Sequence, residues 1–410
     1  MSMRCVIIVF IIIFGTAFLV SVSLPTTGGE GSPQFTFTTQ EVDFTDGSTL
    51  IKGTLFRPDT NETAPGVVIL GGSERSARNS YKKNIARDFV VNGMAALIYD
   101  SPGTGSSTGN AFLQTKDDRV QEALSAMRFL CIQPGISPNE VGIWGLSEGA
   151  NIALLAAAKD TAVAFSIPVS SALGVSPLEI SRFRIEMTGH KQGLTQDDIQ
   201  KALVLEEILY ELLARVEMAE WRLIMKKVQR WKDEPWDELI DSVSRSRQAQ
   251  SQEEKQNIQK TLNRAMKAWK NKTWFRLAVV DIKRFEQVIN MEVNRFFNFL
   301  QNSPWAKGDW NSHLQAKEVL AKLQCPVLAI WGEKDNYLPP HRSAATLKHL
   351  LSKSTHDLTL KIIPEASHIL TFPGIDDLGK DYSLFMIDWL KVRLRLPQTK
   401  NNRKHGREKS

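Results

Sequence analysis

Residues 139 to 150, NEVGIWGLSEGA, constrain the fold more than any other stretch of the chain. Val141, Gly142, Ile143 and Trp144 form a short apolar run of the kind that makes a fully buried strand. Gly145, Ser147 and Gly149 follow in the spacing GxSxG, and Asn151 to Ala158 continues as an Ala- and Leu-rich helix former. A strand, a sharp turn and a helix are the context in which such a serine stands exposed in a strained turn, with the start of a helix behind it. Glycines flank it because side chains there would collide with the neighbouring strand and helix. The stretch gains meaning if an acid and a histidine follow in order.

The segments around it carry the same signature. Gln34 to Pro58 alternates with period two on either side of Asp46-Gly47, which reads as a β-hairpin. PGVVIL (Pro65 to Leu70), Ala95 to Tyr99 and Ala162 to Pro168 read as buried strands, and Ser80 to Asn92 and Thr115 to Cys131 as helices between them. Strands that are apolar throughout and alternate with helices imply a parallel sheet covered on both faces. The pattern resumes at Cys325 to Trp331, then a helix from His341 to Leu351, a last strand from Leu358 to Ile363 and a closing helix from Tyr382 to Leu394.

Between the two halves no strand pattern is found. Leu205, Ile208, Leu212, Val216, Ala219 and Leu223 keep one face of a helix that the spacing extends to Trp231, and Ile258, Leu262, Met266 and Trp269 repeat it. Ser244 to Glu254 is polar and reads as a loop. Seven of the ten tryptophans fall between residues 178 and 310, which points to a helical insertion with its own aromatic core. The expected organisation is therefore a core over 35–177, a helical cap over 178–312, a second core segment over 313–396 and a basic tail over 397–410.

A serine hydroxyl becomes a nucleophile when a base takes its proton and an acid holds that base in one tautomer. Asp335, in WGEKD after the Cys325 strand, and His368, in PEASH after the last strand, follow Ser147 in the order that accompanies GxSxG. Both lie where strand ends open a crevice at the carboxyl edge of a sheet. Glu333 is the rival for the acid, and His341, His349 and His356 are rivals for the base; only His368 follows the final strand. Two N–H donors are expected to hold the oxyanion: the backbone of Glu148, next after the nucleophile, and that of Ser73 in the Gly71-Gly72-Ser73 turn. The Glu148 carboxylate itself is read as pointing to solvent or meeting a cation of the cap.

Charge and cysteines exclude other classes. Lys400, Arg403, Lys404, Arg407 and Lys409 against Glu408 carry four of the six net positive charges, so the body offers no basic face for nucleic acid. Cys5, Cys131 and Cys325 lack metal-ligand spacing and are too few for a disulfide scaffold, and the histidines form no close cluster, so no metal site is expected. Whether Cys131 and Cys325 pair is left open. Residues 1–24, with Arg4, an apolar run from Cys5 to Val20 and Ser21-Val22-Ser23, resemble a signal peptide or an N-terminal membrane anchor. The body is accordingly expected outside the cytoplasm, secreted or periplasmic or tethered to a membrane.

Pattern and order together resemble the α/β-hydrolase superfamily, and more narrowly the bacterial serine esterases related to dienelactone hydrolase and the serine aminopeptidase-like hydrolases, over about residues 35 to 396. Asp100, Gly103, Gly105 and Ser107 match that group's DxRGxGxS segment, with Pro102 in place of the arginine, and Leu70 stands where a histidine often precedes the oxyanion glycine. GLTQDDIQKAL from Gly193 resembles the opening of its cap helix. The resemblance implies an α/β-hydrolase fold, mostly parallel, with a large helical cap inserted after the sixth strand. It also implies hydrolysis of carboxylic esters on a small-molecule acyl substrate, with no cofactor. A peptidase, thioesterase or acyltransferase would use the same three residues. A non-catalytic binding protein of this fold is the alternative from another class.

Overall fold

The computed structural model describes residues 35–110, 114–214, 221–231, 234–246, 248–279, 286–287, 289–302, 312–355, 357–372, 375–378 and 380–397. The leader expected over 1–24 lies outside them, as does the basic tail beyond residue 397. Among the described residues no helix is long and apolar enough to cross a membrane. The chain forms two compact units, one of residues Ser176–His313 and the other of the segments that end at Val175 and resume at Leu314.

The second of these is built on an eight-stranded sheet. β1 (Phe37–Asp46) and β2 (Thr49–Pro58) form the expected hairpin, closed through Asp46 opposite Thr49 with Gly47 at positive φ. β3 (Ala64–Leu70), β4 (Ala95–Tyr99), β5 (Ile136–Leu146), β6 (Ser166–Val169), β7 (Val327–Gly332) and β8 (Leu358–Ile363) complete it in the spatial order β1-β2-β4-β3-β5-β6-β7-β8. β1 and β2 run antiparallel to their neighbours and every other pair is parallel. The helical insertion follows the sixth strand.

The unbroken apolar strands have a physical cause: both faces of the sheet are covered. Along β3, Val67 and Ile69 pack with α1 (Ser80–Val90) and the closing helix Lys380–Lys391. Val68 and Leu70 face the other way, toward α2 (Lys116–Cys131) and α3 (Glu148–Lys159). Each such side chain, removed from water, stabilises the fold by about 2 kcal/mol. The helices start where side chains satisfy their first N–H groups. Asn79 accepts from the N–H of Lys82, and Thr115 and Asp118 form a reciprocal capping box. A two-stranded hairpin, β9 (Thr371–Phe372) with β10 (Ile375–Leu378), has no counterpart in the sequence reading. Its strands are too short for periodicity to register.

The other unit is helical throughout its described residues: α4 (Pro177–Lys191), α5 (Gln196–Ala214), α6 (Trp221–Val228), α7 (Trp236–Arg245), α8 (Gln252–Trp269), α9 (Thr273–Ala278) and α10 (Val293–Asn302). Trp231, Trp236, Trp269 and Trp274 form one buried cluster, with ring centroids 4.3 Å apart for Trp236 and Trp269. Two expectations change here. Ser244 to Glu254 is not a loop throughout: helix α7 includes Ser244 and Arg245, and α8 begins at Gln252, because Ser251 and Glu254 form a capping box that outweighs the missing apolar face. The single helix expected from Leu205 to Trp231 is described as α5 and α6, and the stretch between them lies outside the described residues.

The sheet is packed tightly against backbone at the end of β7. A Cβ on Gly332 would overlap the carbonyls of Ala366 and Ser367, so only a glycine lets the segment after β8 close against β7. Gly332→Ala should therefore destabilise the protein by roughly 3 kcal/mol, read as a fall in the urea midpoint with an unchanged m-value. A midpoint equal to that of the wild type would show that this approach has slack.

Candidate active site

The turn between β5 and α3 places Ser147 at φ 56° and ψ −116°, a region that residues with a Cβ rarely adopt and that costs on the order of 1–3 kcal/mol. Its glycine neighbours explain how the turn exists. A Cβ on Gly145 would overlap the carbonyl of Gly149, and one on Gly149 would overlap the carbonyl of Gly71 at the end of β3. Ser147 is half-buried, and its hydroxyl forms no hydrogen bond to any described residue.

The parallel register then lines up the neighbouring strand ends. Leu146 pairs with Val169, Val169 with Ile330, and Gly332 with Ile363. The pairing runs one residue beyond the strands: the N–H of Ser147 donates to Val169 O (2.8 Å), that of Ser170 to Ile330 O (2.7 Å) and that of Glu333 to Ile363 O (2.9 Å). The segments that carry Ser147, Asp335 and His368 thus leave one edge of one sheet, with adjacent strands about 5 Å apart.

Asp335 and His368 meet directly. Asp335 is 1% exposed, and its Oδ1 accepts from the N–H groups of Tyr337 (2.8 Å) and Leu338 (2.9 Å). That fixes the carboxylate and leaves Oδ2 facing the Nδ1 of His368 at 2.7 Å. An Nδ1–H donated to this carboxylate makes Nε2 the free acceptor of the imidazole. Glu333, the rival acid, is exposed and bonds instead to the N–H of Glu365. His341 and His349 are exposed on the helix Pro340–Leu351, and His356 lies outside the described residues.

Two groups that the sequence reading passed over hold the histidine segment. Ser170 sits at φ 51° directly after β6, is fully buried, and donates its hydroxyl to His368 O at 2.7 Å. Tyr81 donates its hydroxyl to Ile369 O at 3.3 Å. The Tyr337 ring packs against the imidazole with centroids 5.2 Å apart. In the sequence Ser170 is one of two serines after a strand; only the register reveals that its hydroxyl reaches residue 368.

On the opposite side of Ser147 lies the turn after β3. As the first residue of α3, Glu148 has a backbone N–H with no acceptor in its own helix. The turn's contact with the serine is made by Gly72: a Cβ there would lie 3.4 Å from Ser147 Cβ and 2.7 Å from Glu74 Oε2. Ser73 follows, half-buried. The Glu148 carboxylate departs from both expectations held for it. Its partners belong to its own unit: it bonds to Arg119 at 2.6 Å and approaches Arg75 at 3.6 Å. The reason is that α2 runs beneath the elbow and delivers a buried arginine there.

The Asp100 segment anchors the same turn. Burial alone would raise the Asp100 carboxyl, but the Arg78 guanidinium, the Arg78 N–H and the Ser106 N–H outweigh it and hold the group below the ordinary aspartate range. Arg78 therefore supplies from the turn after β3 the charge that Pro102 does not. Lys82, 3% exposed, donates to Ser76 O at 2.8 Å from below. Among the described residues no cluster of three or more His, Cys, Asp or Glu side chains has the disposition of a metal site.

The chain is similar to known proteins in sequence and in structure. The family model described as X-Pro dipeptidyl-peptidase (S15 family) matches residues 46–364. The polyketide transferase claH of Penicillium crustosum is 31% identical over 150 residues, 35% of this chain and 48% of that protein. The quorum-quenching protein AidA of Acinetobacter baumannii is 29% identical over 150 residues, 34% of this chain and 48% of that protein. The chain thus spans about half the length of these curated relatives. Among solved structures, an esterase of Pyrococcus furiosus is similar at 13% identity with a TM-score of 0.49, covering 90% of this chain and 97% of the esterase.

Two outcomes test the supports of the site. In a hydrolase that uses His368 as its base, Ser170→Ala should lower kcat about 10-fold with KM nearly unchanged, since an imidazole displaced by a fraction of an ångström loses alignment; equal kcat would mean Tyr81 and Asp335 suffice. Asp100, depressed in the fold, adds stability that is present above the unfolded aspartate value of about 3.9 and lost as pH falls through the lower folded value. The stability gap between wild type and Asp100→Asn, measured by urea midpoints, should accordingly be larger at pH 7 than at pH 3.

Proposed function

The chain belongs to the X-Pro dipeptidyl-peptidase (S15) family, within the α/β-hydrolase superfamily, and from that premise we propose that it is a serine hydrolase acting on carboxylic esters through an acyl-enzyme on Ser147. The observation that carries the reading is the Asp335–His368 hydrogen bond at the sheet edge from which the strained Ser147 turn also emerges. In this mechanism Ser147 Oγ attacks the acyl carbon while its proton passes to His368 Nε2. Asp335, buried and already bonded to two N–H groups, keeps Nδ1 protonated and stabilises the imidazolium that forms. The Glu148 N–H, with a second N–H from the Gly71–Ser73 turn, receives the negative charge that develops on the acyl oxygen. The imidazolium protonates the leaving group, and a water activated by the same histidine releases the acid.

The family's own description favours a second reading in which the scissile bond is an amide after proline. The names of two relatives, a polyketide transferase and a thiohydrolase of Aspergillus aculeatus, favour thioester or acyl-transfer chemistry on the same serine. The apolar run in residues 5–20 makes the proposed enzyme secreted or membrane-tethered.

Ser147→Ala should lower turnover of short p-nitrophenyl esters at least ~10³-fold while the urea midpoint holds or rises. A fluorophosphonate probe should label the wild type at Ser147 and leave the variant unlabelled. Full activity in the variant, or labelling at another residue, would overturn the assignment. Rates on esters, acyl thioesters and Xaa-Pro p-nitroanilides measured side by side then rank the bond types.

A further inference from the structure

We propose that Arg119 is a positioning residue for acyl transfer, setting the spacing of the two oxyanion donors and neutralising the carboxylate beside them. The inference rests on the serine-hydrolase reading and adds to it a group that makes no contact with Ser147. Arg119 projects from the sheet-facing side of α2 and is only 6% exposed. Its Nη1 donates to Glu148 Oε2 at 2.6 Å and its Nη2 to Gly71 O at 3.1 Å. One guanidinium therefore grips both segments that supply the donors: the first residue of α3, and the first residue of the turn after β3.

The steric and polar contacts at this point act in opposite directions. The carbonyl of Gly71 already touches Gly149 so closely that no Cβ fits between them, which sets the shortest distance between turn and helix. The two prongs of Arg119 set the longest. A guanidinium holds its prongs in a fixed plane, so it fixes a distance where a lysine ammonium would supply a point charge. Oxyanion donors act only when held about 2.7–3.1 Å from the developing charge, so a change in spacing of a few tenths of an ångström weakens them.

Charge gives the second part of the role. The Glu148 carboxylate sits on the very residue whose N–H faces the oxyanion, and left unpaired it would oppose the negative charge of the transition state. Burial would push the Arg119 guanidinium down and the Glu148 carboxyl up; their mutual pairing, with Arg75 beside Glu148, instead leaves Arg119 above and Glu148 below their ordinary ranges. A buried ion pair contributes little net stability against an apolar replacement of equal volume. A pair kept for the fold alone would then leave kinetics untouched once both charges are removed.

The test compares Arg119→Met, Arg119→Lys, Glu148→Gln and the double variant Arg119→Met/Glu148→Gln on p-nitrophenyl acetate, with an arylboronic acid as a mimic of the anionic tetrahedral adduct. Arg119→Met should lower kcat about 100-fold and Arg119→Lys about 10-fold, with KM within threefold of wild type and the pH midpoint of kcat/KM unmoved. Boronic acid affinity should fall by the same factor as kcat, and the double variant should recover part of the loss because position 148 no longer carries an unpaired carboxylate. Unchanged boronic acid affinity, a loss confined to KM, or a loss that tracks the unfolded fraction would overturn the inference. If Arg119→Met does not fold, Arg119→Lys and Glu148→Gln decide by the same two readouts. Ser147→Ala measured in the same series separates the two levels: an active Ser147→Ala protein sinks the hydrolase reading itself, whereas normal kcat in every Arg119 and Glu148 variant beside an inactive Ser147→Ala sinks the positioning role alone.

Discussion

Three backbone hydrogen bonds that continue the parallel ladder past its strands hold the rest of the site in place: Ser147 to Val169, Ser170 to Ile330 and Glu333 to Ile363. Loops leaving a sheet ordinarily diverge and gain freedom. Here each first loop residue is still paired with its neighbour, so the directions in which the side chains depart are inherited from strand register. Ser147, Ser170 and the segment leading to Asp335 are fixed by the same interaction that fixes the core. The strained turn at Ser147 persists because the surrounding packing over-determines it, with Gly71, Gly145 and Gly149 in mutual backbone contact.

The polar groups of the site divide by what they hold. Around His368 the donors are uncharged: Ser170 and Tyr81 hold the carbonyls at 368 and 369, and backbone N–H groups hold Asp335. Beside Glu148 and the turn after β3, the restraints are charged. Arg78 with Asp100, Lys82 with Ser76 O, and Arg119 with Glu148 and Gly71 O all grip the turn after β3. That turn is short of apolar side chains, so it cannot be held by burial and is held by ions instead. Fixed dipoles and charges reorganise little when charge develops beside them.

The helical unit is stabilised by a different economy of contacts. Its described centre is aromatic, with four indoles in van der Waals contact, and the indole N–H groups of Trp236 and Trp269 are buried without a partner among the described residues. Two consecutive turns of α5 carry Glu206, Glu207 and Glu211, each nearly buried, with Arg182, Arg184 and Lys227 reaching the first two. Burial leaves the Glu206 carboxyl above its ordinary range despite Arg184.

The sequence by itself determined the order of strands and helices, the place of the insertion and the residue types of the site, because these follow from local periodicity and from GxSxG. Periodicity also specified which strands are covered on both faces. It failed where local signals conflict or are short: the capping box at Ser251 and Glu254 overrode an absent apolar face, and the two-residue strand at Thr371 left no trace. Tertiary structure alone decided which acid meets the histidine, since Asp335 is buried against His368 while Glu333, two residues earlier, is exposed and accepts from the Glu365 N–H. It also decided that Ser170 reaches residue 368 and that Arg119 reaches residues 71 and 148. Such contacts span 29 to 198 positions of the chain, and they exist only once parallel register brings distant strand ends to one edge. No local pattern encodes that register; it is the outcome of packing the whole sheet.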